Sequence, residues 1–327
     1  MASLSIKYMG LDLSSPLILG SCGLTNSVDN LVKAEQAGFG AVVLKSVFEE
    51  QIKYDIEKTY QSGGNISHSQ SYDYIAHYQE EASIDKHLRL IRDAKDALSI
   101  PVIASINCFS IEGWMEYAKR IEQSGADMLE VNYFDLPTHF EKKADEYYDS
   151  YFKLIRELQA TVTLPIALKT SHYFTDLAYF MQKLSYTGLA SLVLFNRFHS
   201  PDINIEKMEI SNTNKLSKPE ELSNTIRWVG ILSEHLRCDI CATTGCHDAE
   251  GLIKLILAGA DAVQSASVFY IKGIEYGREM VDGLAKWMDQ KGYATIDQFK
   301  AKQNYANIED PAVYFRIQFM KCMAGIE

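Results

Sequence analysis

Short apolar runs recur along this chain, each followed by a loop and then by a stretch whose apolar residues return every three or four positions. Runs of the first kind suit strands buried on both faces, and stretches of the second kind suit helices with one apolar side. The pattern predicts strands over residues 16–20, 41–45, 101–106, 128–131, 165–169, 192–195, 239–242 and 262–264. It predicts helices over 28–37, 84–97, 112–124, 142–160, 176–187, 219–234 and 271–291, and one more that opens at Ala249. That helix shows the spacing plainly: Ala249, Leu252, Ile253 and Ile256 fall on one face, and Gly259 stops it. A long polar loop is expected from Phe48 to about Tyr74, and a polar excursion between the sixth strand and Pro219.

Eight strands alternating with eight helices predict a closed (β/α)8 TIM barrel, an α/β fold. No Pro/Gly-rich linker or charge block interrupts the pattern, so residues 1–327 read as a single domain. The segment after Thr295 is amphipathic and reads as a C-terminal helical appendage, with Tyr314 and Phe315 as candidates for exposure. An open doubly wound sheet is disfavoured. Its first turn would carry G-x-G-x-x-G, whereas this chain has Gly20-Ser-Cys-Gly-Leu24.

Barrel proteins carry their chemistry at the C-terminal ends of the strands. In order, these ends offer Ser21, Lys45-Ser46, Asn107, Asn132, Lys169-Thr170, Asn196, Thr244-Gly245 and Ala266-Ser267. Any one of these residues serves equally as a loop cap, but the set together indicates a ligand pocket. Asparagine donates and accepts, which suits the edge of a planar heterocycle. Thr244-Gly245 and Ala266-Ser267 end the last two strands with small and hydroxyl residues. Tight turns need such residues, and so does a phosphate held by main-chain N–H groups. Lys169 in the barrel mouth has two readings of its own. It stabilises developing negative charge beside a flavin or phosphate, or it forms a Schiff base with a carbonyl substrate, as in an aldolase-type lyase.

Composition narrows the classes further. A length of 327 residues, 47% hydrophobic and 23% charged, is that of an ordinary globular protein. The net charge of −11 argues against nucleic acid or an anionic membrane surface as partner. No apolar run reaches membrane-spanning length and the N-terminus lacks a signal-peptide core, so a cytoplasmic location is expected. The six cysteines read as reduced thiols. Cys238, Cys241, Cys246 and His247 are close in sequence, but strand alternation keeps Cys238 and Cys241 from converging, and no metal site is expected.

With these residues in view, the chain resembles the dihydroorotate dehydrogenase family, nearest its soluble class 1 members. The resemblance rests on Gly40-Ala-Val-Val-Leu-Lys-Ser46, Leu129-Glu-Val-Asn132, Pro165-Ile-Ala-Leu-Lys169 and Leu257-Ala-Gly-Ala-Asp-Ala-Val-Gln264, with Asp289-Gln-Lys-Gly-Tyr293 and Ile296 near the C-terminus. It runs through most of the chain. It implies a barrel holding FMN, with the phosphate at Thr244, Gly245, Ala266 and Ser267, and with Lys45 and Lys169 near the flavin ring. Ser21 and Ser46 would add hydrogen bonds, while Asn132 and Asn196 would hold a pyrimidine. The implied activity is oxidation of dihydroorotate to orotate in pyrimidine biosynthesis, by a homodimer; a soluble electron acceptor is expected separately, because the sequence shows no iron–sulfur cysteine cluster and no N-terminal membrane segment.

Three departures from the family pattern bear on the substrate. The family's Asn-x-x-base-Pro-Asn, with Cys or Ser as base, reads here Asn132-Tyr-Phe-Asp-Leu-Pro137, which puts Asp135 in the base position. Asp135 would serve as a base if a pocket desolvated its carboxylate. The loop after strand two offers Asn65 within Gly64-Asn-Ile-Ser-His-Ser-Gln70, without the family's Asn-x-x-x-Gly-x-x-Asn. Paired glycines are missing near Thr213-Asn214. The cofactor positions thus follow the family more closely than the substrate positions do. A divergent flavin oxidoreductase with another substrate, a related heterocycle, is the main alternative. A Schiff-base lyase using Lys169 and a non-catalytic phosphate-binding barrel follow.

Overall fold

The computed structural model describes residues 2–48, 69–108, 114–198, 201–211 and 215–315. An antiparallel hairpin, β1 (Ile6–Tyr8) with β2 (Leu11–Leu13), comes first. Eight parallel strands then form the barrel: β3 (Leu17–Leu19), β4 (Ala41–Val43), β6 (Val102–Cys108), β7 (Met128–Tyr133), β8 (Ile166–Thr170), β9 (Ser191–Leu194), β12 (Asp239–Thr243) and β13 (Ala262–Ser265). Pairing of β13 with β3 closes the ring, with Gln264 opposite Ile18 and Ser265 opposite Leu19. A short β5 (Val47–Phe48) extends the sheet beside β6. The expected (β/α)8 barrel is therefore present, and each predicted strand coincides with an observed one to within a few residues.

Helices wrap the outside: α1 (Val28–Gln36), α2 (Ser69–Ala97), α3 (Trp114–Gln123), α4 (Ala144–Thr161), α5 (Leu177–Ser185), α6 (Leu222–Leu232), α7 (Ala249–Ala258), α8 (Ser267–Lys272) and α9 (Tyr276–Lys291). The α7 helix is built as its sequence suggests. Asp248 caps it by accepting from the Gly251 N–H at 2.8 Å, Leu252, Ile253 and Ile256 are buried, and Gly259 ends it at φ +116°. No helix among the described residues is long and apolar enough to cross a membrane.

Two core layers follow from strand alternation. Outward-facing residues such as Leu19, Val42, Ala104, Leu129, Leu168 and Leu192 pack against the helices. Inward-facing Ile18, Val43, Ile103, Met128, Ala167, Val193, Cys241 and Ala262 fill the lower barrel, and Tyr8, Met9 and Leu13 of the hairpin close it from below. Tyr8 is 1% exposed and donates to Ser191 Oγ at 3.0 Å, so its phenol is satisfied inside the core. The hairpin thus plugs the lower end of the barrel.

Several expectations are corrected. The second helix starts at Ser69 rather than residue 84, so residues 69–74 of the expected loop are helical. The final helix divides into α8 and α9, because Gly273 at φ +86° turns the chain between them. The excursion after β9 contains a hairpin, β10 (Asp202–Asn204) and β11 (Glu209–Ser211), whose Ile203, Ile205, Met208 and Ile210 are exposed. Among its described residues, 296–315, the C-terminal appendage is largely turns, followed by the helical segment α10 (Ala312–Phe315). Its main chain is tied to the ends of α6 and α7 through Tyr305 N to Gly230 O at 2.9 Å and Ala301 N to Ile256 O at 3.0 Å. The start expected at residue 112 for the third helix lies outside the described residues.

Candidate active site

The same alternation that fills the lower barrel with apolar side chains places polar ones in the layer above. Ser105, Glu130, Lys169 and Gln264 each stand two residues beyond an inward apolar residue, namely Ile103, Met128, Ala167 and Ala262. Asn107 and Asn132 stand two further on. Above them open two cavities. The larger, about 700 Å³, is walled by Asn107, Glu130, Asn132, Asp135, Lys169 and Asn196, with Phe134 and Phe198 at its side. The smaller, about 140 Å³, lies over the ends of β12 and β13, between Ser217, Thr244, Gly245 and Cys246 on one side and Ser265, Ala266 and Ser267 on the other. Ser21, Lys169, Asn196 and Arg197 line both cavities, so they meet there.

The smaller cavity has a specialised backbone. Thr244 and Gly245 both have positive φ, +80° and +83°. A β-branched residue is uncommon there, and such outliers cluster at ligand sites. Any Cβ at Gly245 would lie 2.3 Å from the Leu222 amide nitrogen, so the close approach of this turn to α6 demands glycine. Hydroxyls crowd the rim: Ser217 N donates to Ser267 Oγ at 3.0 Å, and Ser217 Oγ is 3.0 Å from His247 Nε2. Burial holds the His247 imidazole below the usual histidine range, with nearby Asp248 and Glu221 opposing that effect.

In the larger cavity the predicted residues meet one another. Asn196 Nδ2 donates to Asn132 Oδ1 at 3.1 Å. Ser21, Ser46 and Ser105 form a hydroxyl chain, with Oγ–Oγ distances of 3.0 and 2.6 Å. Lys169 Nζ donates to Gln264 Oε1 at 3.2 Å and lies 3.5 Å from Glu130 Oε1. Asp135 lines the cavity but is ion-paired with Lys142 at 2.7 Å, both side chains about a quarter exposed (28% and 27%). It therefore does not sit in the desolvated apolar pocket that would favour a base. Partial burial works against the Lys142 ammonium, yet the Asp135 hydrogen bond and charge hold it above the ordinary lysine range.

Lys45 is not brought in. It is exposed at the end of β4 and lies outside the lining of both cavities, while its neighbour Ser46 is buried and points inward. Asn65 and Thr213-Asn214 lie outside the described residues. The sequence reading missed Glu130, Gln264 and Arg197. Glu130 carried a legible signal, since it precedes Asn132 by two on one strand and must share its face. Arg197 directly follows Asn196; its Nε donates to Glu221 Oε2 at 2.9 Å beside both cavities. Cys241 faces the barrel floor, where burial first and Glu130 second push its thiol up. Among the described residues no three His, Cys, Asp or Glu side chains are grouped to hold a metal.

These features define a (β/α)8 barrel with a ligand-sized, polar, two-part cavity at its C-terminal mouth. No family model matches the chain. Among known proteins, it is 24% identical over 302 residues to the catalytic subunit of dihydroorotate dehydrogenase B (NAD(+)) of Thermoplasma acidophilum, spanning 90% of this chain and 97% of that one. It is 26% identical over 302 residues to a putative dihydroorotate dehydrogenase A (fumarate) of Aeropyrum pernix, spanning 90% and 95%. It is 22% identical over 344 residues to the PreA subunit of NAD-dependent dihydropyrimidine dehydrogenase of Escherichia coli, spanning 98% and 83%. A crystal structure of the Eimeria tenella enzyme DHODH in complex with ferulenol superposes with a TM-score of 0.66 at 16% identity, covering 92% of this chain and 88% of that one, a likeness of fold. Over about nine-tenths of its length the chain is thus similar to proteins named as dihydroorotate dehydrogenases, at 24% and 26% identity.

Proposed function

We propose that the protein is an FMN-dependent oxidoreductase, with residues 1–327 forming one FMN-binding barrel that acts on dihydroorotate or a related dihydropyrimidine. The observation that carries this reading is the junction of the two cavities at Lys169. The smaller cavity fits a phosphate: it is lined by serine and threonine hydroxyls, and its turn excludes any Cβ at Gly245. Thr244, Gly245, Ala266 and Ser267 would hold the phosphate. Lys169, Ser21 and Ser46 would meet the ring system where the cavities join. Lys45, exposed just beyond β4, is a further candidate to approach the ring. FMN, when bound, supplies the two-electron redox chemistry of the reaction. The protein orients the substrate through the Asn132–Asn196 pair and supplies the proton acceptor, for which Asp135 is the candidate.

The Asp135–Lys142 pair supports a second reading, oxidation of a related heterocycle rather than dihydroorotate, because it departs from the neutral base expected at that place. The Schiff-base alternative is disfavoured. The Lys169 nitrogen already meets a carboxylate and an amide in a buried network, whereas attack on a carbonyl requires a free amine. The electron acceptor is proposed to be a soluble molecule, the location cytoplasmic and the assembly a homodimer. The exposed apolar hairpin at Ile203 and Ile210 supports the last of these as a surface to be covered.

An absorbance spectrum of the purified protein tests cofactor and substrate together. Yellow flavin absorbance that bleaches anaerobically on adding dihydroorotate supports the first reading, and bleaching by 5,6-dihydrouracil alone supports the second. Protein that stays colourless after incubation with FMN refutes both. If Asp135 is the base, Asp135→Asn abolishes bleaching by the substrate, and unchanged bleaching excludes that role.

A further inference from the structure

Directly beneath the junction of the two cavities, three buried side chains close into one network. Lys169 Nζ is 3.2 Å from Gln264 Oε1 and 3.5 Å from Glu130 Oε1, and Gln264 Nε2 donates to Glu130 Oε2 at 2.5 Å. Glu130 and Gln264 are 1% exposed and Lys169 is 9% exposed. The geometry points to Glu130 as a positioning residue that cancels the charge of Lys169, fixes its direction, and thereby sets the redox potential of the flavin above them. This inference rests on the FMN reading.

Three observations carry it. First, the network sits on an apolar floor of Ile18, Met128, Ala167, Cys241 and Ala262. A lone ion above such a floor loses hydration worth several kcal/mol, so cation and anion are stable there only as a pair with their remaining hydrogen bonds met. Gln264 meets them, since its carbonyl accepts from the lysine while its amide donates to the glutamate. The three groups come from β7, β8 and β13, so the pairing is built by barrel closure rather than by local sequence. Second, Glu130 lines the larger cavity, Gln264 the smaller, and Lys169 both. A ligand spanning the junction therefore lies over this network. Third, the charge of Glu130 is felt by its buried surroundings. After burial itself, it raises the Cys241 thiol and contributes to raising the Tyr8 phenol, and Lys169 opposes it at Cys241.

Two-electron reduction adds electron density to the flavin ring, so a net positive floor favours reduction and a neutral floor does not. In a water-poor site such charges act strongly over short distances. With Glu130 present the floor is neutral; Glu130→Gln leaves it positive, Lys169→Met leaves it negative, and the double variant is neutral again. The test measures the midpoint potential of the full-length, FMN-loaded protein and these variants between pH 6 and 9, with melting temperatures to confirm folding. Glu130→Gln is expected to favour reduction at least tenfold at the acid end, a rise of about 30 mV for a two-electron couple. Lys169→Met is expected to lower the potential, the double variant to return towards the parent, and Glu130→Asp, which keeps the charge, to stay near it. A Glu130→Gln potential equal to the parent's at every pH, or a double variant that does not return, overturns the assignment.

A second measurement needs no flavin. Acylation of Lys169 by an amine reagent, followed by mass spectrometry on the flavin-free chain, should run severalfold faster in Glu130→Gln, because no carboxylate then holds the ammonium. Equal rates overturn the pairing. Protein that takes up no FMN overturns the cofactor reading and the redox role with it, while the acylation rates still report whether Glu130 pairs with Lys169.

Discussion

The buried imidazole of His87 makes the stability of the outer layer depend on pH in a way that can be worked through. His87 lies on α2 and its Nδ1 is hydrogen-bonded to the Tyr117 hydroxyl on α3, while Nε2 is buried with no partner among the described residues. It is 5% exposed, and burial lowers its pKa from 6.5 to about 4. The folded protein therefore resists a proton that the unfolded chain accepts at pH 6.5. Because the unfolded state binds more protons between these values, stability rises with pH across the window and is lost on acidification from about 6.5 to 4. At 1.36 kcal/mol per pH unit, the loss is about 3 kcal/mol, a sizeable part of the 5–15 kcal/mol typical of folded domains. His87→Leu removes the titrating group while keeping an apolar contact of similar size. Urea unfolding of both proteins at pH 7, 6, 5 and 4 should show the parent losing about 3 kcal/mol more than the variant over that range. Curves that run parallel, within about 0.5 kcal/mol, would refute a buried neutral His87.

Two further substitutions probe the barrel's two ends. Gly245→Ala places a Cβ against the Leu222 backbone in a left-handed conformation that costs about 1–2 kcal/mol by itself, so FMN affinity measured by fluorescence quenching should fall at least about tenfold. Unchanged affinity would show that the turn is not part of the phosphate site. Tyr8→Phe removes the hydrogen bond to buried Ser191 at the plugged end and should destabilise the protein by about 1–2 kcal/mol in urea unfolding, with FMN affinity unchanged. A loss of affinity in that variant would mean that the floor and the mouth of the barrel are coupled.

The sequence by itself determined the barrel. Its eight apolar runs and intervening amphipathic stretches are local patterns, because burial on both faces or on one face writes its period directly into neighbouring residues. It also placed Ser21, Ser46, Asn132, Lys169, Asn196, Thr244, Gly245, Ala266 and Ser267 together, since the ends of parallel strands must share one mouth. What stayed hidden had a different physical origin. The strands of the plugging hairpin are three residues each, too short to show a period. The break between α8 and α9 rests on one glycine.

Only the tertiary structure decided which of the mouth residues touch. The meeting of Glu130, Lys169 and Gln264 and the capture of Asp135 by Lys142 depend on the stagger between strands and on how loops pack over them. Those quantities are fixed by closing β13 onto β3 and by side chains far apart in sequence, so no local pattern records them.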